Sequence, residues 1–218
     1  MKNCIIIFLL FFYCIETEAK NPPFKNAIGI DIINGVRGLS GLGSNGIIIK
    51  DNWGIILSRY IKKNDKLVFA FNRYSKDYSA SAFPQTYYVN RSISGNKFKL
   101  AYQFLRPINE LNWIKSVWGI GGSYSLNQLA YETILYEPVF QTQKILSHKI
   151  PVNILSCEMQ FGVELKVKKR WEFTFVPVIG MMRKSRETNE ILYACPTYGF
   201  VWKTTYIGLQ SHLSYCFN

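Results

Sequence analysis

His212 and Ser214 stand two residues apart close to the end of the chain. In an extended strand that spacing puts both side chains on one face. An imidazole beside a hydroxyl can serve as base to a nucleophile when an acid orients it, and Glu158, Glu164 or Glu172 could supply the acid if the fold brought one close. Two-residue matches of this kind arise often by chance, so the expected role of the pair is to fill space, and no catalytic activity is expected. The other chemistry-bearing types are sparse. His148 is the second of two histidines, and the sequence has neither CxxC nor HExxH, so neither a metal site nor a cofactor is expected. Of the five cysteines, Cys157, Cys195 and Cys216 lie outside the N-terminal segment. An odd count without short spacings gives no disulfide framework, and their pairing stays open.

The elements that must position these residues alternate with a period of two. In 156–182, "SCEMQFGVELKVKKRWEFTFVPVIGMM", one parity carries Cys157, Met159, Phe161, Val163, Leu165 and Val167. The other carries Ser156, Glu158, Gln160, Gly162, Glu164 and Lys166. Beyond a basic tip at Lys168–Arg170, Trp171, Phe173, Phe175, Ile179 and Met181 oppose Glu172, Thr174 and Gly180. Two alternating arms around a polar tip predict a hairpin. Its arms exceed the five or six residues common in soluble sheets and reach the roughly 9 to 11 needed to cross a bilayer.

The same alternation predicts further strands in "KNAIGIDIIN", "IIIKDNWGIILSRY", "LVFAFNRY", "KFKLAYQF", "WIKSVWGIGGSY" and "VWKTTYIGLQSHLSYCFN", eight in all with the hairpin. Between them the polar stretch "KKNDK" reads as a turn. The segment with Pro84 and "SISGN" reads as a loop, and 125–149 reads as the longest connection, where function or mobility is expected. Pro151 would start the sixth strand and Pro177 interrupts the seventh. Long and short connections then alternate. Antiparallel membrane barrels have this order, with both chain ends on the periplasmic side.

The first residues, "MKNCIIIFLLFFYCIETEA", join a lysine, a short apolar run and small residues before a cut after Ala19, the pattern of a secretory signal. The expected organisation is a signal over 1–19 and one barrel domain over 20–218. Removing Lys2, Glu16 and Glu18 would raise the formal charge from +12 to +13. Export makes nucleic acid an unexpected partner and points the positive charge at anionic headgroups or acidic polysaccharide.

Polarity decides which way the barrel faces. The polar parity carries Asp31, Lys50, Lys97, Lys99, Lys115, Glu158, Glu164, Lys166 and Glu172. That is too much charge for the oily cavity of a soluble, lipocalin-like ligand carrier, the main alternative barrel. With the apolar parity toward lipid, the fold class is an all-β, eight-stranded, antiparallel up-and-down transmembrane barrel. Its interior is wide enough only for side chains, and the charges there should pair into a plug.

The signal-like segment, the alternating strands, the loop-to-strand entry "HKIPVNILSCEMQFGVEL" and the aromatic-rich last strand resemble the small outer-membrane β-barrel proteins of Gram-negative bacteria. The resemblance covers 24–218 and implies an outer-membrane location, a structural or adhesive role through outer loops, and a monomer. In that family the last strand usually ends on an aromatic residue, whereas here Phe217 is followed by Asn218. Some barrels of this size are enzymes that modify lipid A, so a deacylase- or acyltransferase-like enzyme is the alternative that the resemblance implies, and the deacylases carry a His-x-Ser pair facing the membrane. His212 and Ser214 match the spacing but share the inward parity. Trp53, Trp113, Trp118, Trp171 and Trp202 are expected as interface anchors. Arg73, Lys76, Arg91, Arg183, Lys184 and Arg186, with Lys144 and Lys149, fall near the outer loops. They are candidates to contact lipid A phosphates or an extracellular ligand.

Overall fold

A computed structural model describes residues 24–33, 47–78, 88–108, 113–137, 142–184, 198–202 and 204–218. The expected signal segment, residues 1–19, lies outside them. Among these residues nine strands are formed: β1 Asn26–Asp31, β2 Ile47–Lys62, β3 Asp65–Tyr78, β4 Tyr88–Pro107, β5 Ile114–Glu137, β6 Thr142–Lys168, β7 Trp171–Lys184, β8 Tyr198–Trp202 and β9 Thr205–Phe217. All pair antiparallel. Successive strands β1 to β7 are neighbours, β7 pairs with β9, and β9 pairs back to β1. Eight strands therefore close a ring, an all-β up-and-down barrel, as the alternation predicts.

The ninth strand was not expected, and the closure explains it. β1 covers β9 only from His212 to Phe217. β8 pairs with Thr205–Leu209 on the rest of β9, so it covers the length that the six-residue β1 cannot reach.

Alternation sets the two faces. Outward positions expose Ile120 (64%), Leu155 (56%), Met159 (55%) and Ile207 (55%), while Lys66, Lys99, Glu158, Gln160 and Glu164 are buried inside. An oily cavity within a polar exterior, the soluble-carrier alternative, is thus overturned. The interior is mixed rather than wholly polar. Inward Val117, Val152, Val176 and Val178 form one apolar cluster with Tyr74, Leu129 and Tyr206, and Ile56, Val68, Ala70 and Ala101 form another.

Three connections are shorter than expected. The "KKNDK" turn shrinks to Lys63–Asn64, so Asp65 and Lys66 already belong to β3. "SISGN" lies in β4, paired with β3 and β5. The expected loop over 125–149 is a hairpin in which β5 and β6 pair without a break from Ile114↔Leu165 to Glu137↔Thr142. β7 reaches only as far as Lys184 opposite Ile154, so among the described residues Thr142–Asn153 pairs with β5 alone. At about 3.3 Å per residue, these twelve residues make an arm that rises roughly 40 Å past β7, with β4 backing β5 as far as Thr133. Its root is fixed by Leu129 and Val152 in the apolar cluster, with Tyr131 and Ile150 packed against it. Higher up, Tyr131 stacks on His148 with ring centroids 4.9 Å apart. Pro151 therefore lies well inside β6.

Candidate functional site: the charged lumen

The inward charges gather into two clusters. In the first, β4 brings Lys97 and Lys99 from one face of a strand, because they are two residues apart. They meet Glu158 of β6 at 2.6 Å and 2.5 Å. The carboxylate also accepts from Tyr206 Oη at 2.6 Å and from Ser123 Oγ at 3.3 Å. Ser156 Oγ lies 2.5 Å from Ser123 Oγ, and Lys99 donates to Gln210 Oε1 at 2.8 Å. Two cations share this one acid, so the cluster keeps an excess of positive charge, and its burial is offset by the ion pairs and by the hydrogen bonds to Glu158 and the half-buried Gln210.

The second cluster lies nearer the short turns. Lys66 of β3 meets Glu164 at 2.6 Å and Glu172 at 3.5 Å, and Lys115 approaches Glu164 at 3.6 Å. Tyr60 Oη donates to Glu172 at 2.6 Å. Between the clusters, Gln103 Nε2 donates to Gln160 Oε1 at 2.8 Å. Above the first, Tyr74 hydrogen-bonds Asn127, and Asn72 donates to Asp31 at 3.4 Å.

The expected network is thus largely present, with one loss and one gain. Asp31, Lys97, Lys99, Lys115, Glu158, Glu164 and Glu172 face inward. Lys166 keeps the inward parity but is exposed at the strand end, because β6 has by then reached the rim and the side chain can extend into solvent. Lys66, assigned to a turn by its polar neighbours, is fully buried instead. Among the described residues the lumen therefore matches four acids with four lysines. Tyr60 and Tyr206 were missed as well. Both sit on inward parity beside charged neighbours, which was the available signal.

His212 and Ser214 are buried, 4% and 1% exposed, on the inner face of β9. Neither ring nitrogen of His212 makes a hydrogen bond among the described residues, and neither does Ser214 Oγ. Asp31 and Thr174 flank His212 in register, and Ser214 lies opposite Gly29 and Glu172. Among the described residues no hydrogen bond joins His212 to Ser214. Among the described residues no group of three or more His, Cys, Asp or Glu could hold a metal ion.

The outer basic residues are only partly described. Arg73 is 3.2 Å from Asp51 and exposed, Lys76 lies over the Tyr74 ring at 5.9 Å, and Arg183 is exposed. The side chains of Lys50, Arg91, Lys144 and Lys184, and the whole of Arg186, lie outside the described residues. So do Cys195 and the Trp202 side chain. Cys157 is free and exposed, and Cys216 is free and buried. Trp53, Trp118 and Trp171 are partly exposed on the outer face, and Trp113 is partly exposed just before β5.

Fold and lumen together define a closed antiparallel barrel of eight strands, apolar outside and charge-paired within. No protein-family model matches the sequence, and no curated protein matches it. Among solved structures the chain is similar to the crystal structure of Neisserial surface protein A. The TM-score is 0.38 and the identity 11%, over 88% of this chain and 94% of that one.

Proposed function

We propose that the chain is an outer-membrane barrel with a plugged lumen, whose structural or adhesive role is carried by its outer end. The observation that supports this reading is the inverted polarity. A belt of Ile, Leu, Met, Trp and Phe faces outward from adjacent strands, while lysines and glutamates are buried inside. Water is a poor solvent for that exterior and hydrocarbon a good one, at roughly 25 cal/mol per Å² of apolar surface. Closing the ring leaves no unpaired edge for lipid to meet along most of its height.

The paired lumen fills the interior that a solute would need, which favours a non-conducting scaffold. The candidate contact surface is then the β5–β6 arm. It projects past β7 and exposes Ile145, Ser147 and Lys149. Lipid A phosphates are the expected partners of exposed Arg183 and its neighbours near the outer rim.

Cell fractionation combined with heat-modifiable gel migration tests this reading. Recovery from outer membranes only with detergent, and a band that shifts on boiling, is the expected result. Soluble recovery without a shift would overturn it.

A further inference from the structure

The end of the barrel opposite the arm carries more positive charge than the sequence order suggests, because each short turn contributes to it separately. Lys62 and Lys63 flank the β2–β3 turn, Arg106 ends β4, and Lys168, Lys169 and Arg170 form the β6–β7 tip; all are exposed. Lys25 beside β1 and Lys166 on β6 are exposed at the same end. Among the described residues there, acid offsets them little: Glu164 and Glu172 are turned into the lumen and committed to Lys66, and Asp65 is half-buried. At the outer end, exposed Arg73 is paired with Asp51, and Lys149 and Arg183 are exposed as well.

Aromatics lie at the same end as these cations. Trp171, Phe104 and Phe217 are 39–48% exposed on the outer face and Trp113 is exposed just before β5, and Trp171 packs on Tyr215 at 5.3 Å. Arg170 donates to Tyr215 Oη at 2.9 Å, and its guanidinium lies 5.7 Å from the Phe24 ring centroid. Phe104 and Arg106 are two positions apart on one strand face, about 7 Å at the usual rise per residue. Aromatic rings with basic side chains one step beyond them match the depth order of a membrane interface, with ring at the carbonyl level and cation among the phosphates.

We propose that this collar binds the anionic headgroups of phospholipids in the periplasmic leaflet. The proposal rests on the membrane reading above, but it concerns the opposite leaflet from the lipid A contacts. A solvated rim would need no cation placed on aromatic rings as Arg170 is on Tyr215 and Phe24.

The test is lipid selectivity at the barrel surface. The full chain is reconstituted in phosphatidylcholine bilayers containing a minority of phosphatidylglycerol, and the preference is read with spin-labelled forms of the two lipids. The expected preference for phosphatidylglycerol is roughly fivefold at low salt and falls toward parity as salt rises. A variant with Lys62→Gln, Lys63→Gln, Lys168→Gln and Lys169→Gln should lose most of it, whereas Arg73→Gln with Arg183→Gln at the outer end should keep it. Equal binding of both lipids by a barrel that still shows the heat shift overturns the collar and leaves the membrane reading standing. So does a preference unchanged in the four-lysine variant. A chain that enters neither bilayer and shows no heat shift overturns both.

Discussion

The two sides of the lumen solve the problem of buried polarity differently. Across β3, β4, β5 and β6, every inward lysine among the described residues meets a carboxylate, with Ser123 and Ser156 bonded beside Glu158. Where β1, β2, β7 and β9 meet, Tyr60 bonds Glu172, but Ser58, Thr174, His212 and Ser214 have polar side-chain atoms that make no hydrogen bond among the described residues. β1 is also the wall of small residues. Ala27 and Gly29 face inward there, and a Cβ on Gly29 would meet Ser214 Oγ and sit 2.7 Å from the Leu213 carbonyl. One side is thus held mainly by charge pairs, and the other carries a run of hydroxyls and an imidazole without such pairs. Substitutions on the two sides should therefore differ in size and even in sign.

The largest effect is expected from Glu158→Gln. It leaves Lys97 and Lys99 buried without their common counter-charge, and breaking a buried pair in this way costs about 3–5 kcal/mol. Urea unfolding of the lipid-folded barrel, followed by tryptophan fluorescence, measures the loss. The comparison sharpens when Lys97→Met and Lys99→Met are added, because removing all three charges together should recover most of the stability. If Glu158→Gln alone changes nothing, the cluster does not lock the wall.

Lys66→Met comes next. Glu164 and Glu172 lose their shared lysine, but Lys115 stays 3.6 Å from Glu164 and Tyr60 still donates to Glu172. The expected cost is about 2–4 kcal/mol, below that of Glu158→Gln because partners persist. The same urea titration reads it. A loss larger than that of Glu158→Gln would mean that the cluster near the short turns is the principal lock.

Which of these residues the sequence disclosed follows from how strands reveal themselves. Inside the apolar band the outward side chains must be oily, so Lys97 and Lys99 stood out against Phe98, Leu100 and Tyr102 and their lumen position was legible. Above the band both faces may be polar and the period disappears. For that reason the arm from Ser125 to Lys149 read as a loop, although its described residues pair from Ser125 to Glu137 and from Thr142 to Lys149. Gly95 misled in a similar way. It resembles a turn residue in "SISGN", but it sits in β4 where a Cβ would fall 2.5 Å from the Leu126 carbonyl of β5. Lys66 was hidden because its neighbours Lys62, Lys63, Asn64 and Asp65 are all polar, and only the pairing shows that the turn takes two of them. Which carboxylate meets which lysine depends on contacts such as Lys66 to Glu164, 98 positions apart, and no local pattern encodes them. The unpaired state of His212 and Ser214 depends on the same long-range geometry.

Thr174→Val has the smallest effect and separates the two walls most sharply, because its sign is informative. Thr174 is fully buried with Oγ1 unpartnered, in register with His212. Valine matches threonine in shape but lacks the hydroxyl. If the pocket were dry, removing a buried hydroxyl with no partner would stabilise the barrel, since the desolvation penalty would vanish. If internal water bridges Thr174 to His212 and Ser214, valine would strand that water and destabilise by about 1 kcal/mol. The clustering of several such groups on one wall favours water, because isolated dry hydroxyls are rare in protein interiors and neighbouring ones can share a solvent molecule. Destabilisation by Thr174→Val in the urea titration is therefore the expected outcome. Ser156→Ala provides the contrast on the charged wall, where Oγ is already partnered by Ser123 and Tyr206. It should destabilise whether or not water is present. A stabilising Thr174→Val beside a destabilising Ser156→Ala would show that the closing wall is dry and only loosely packed.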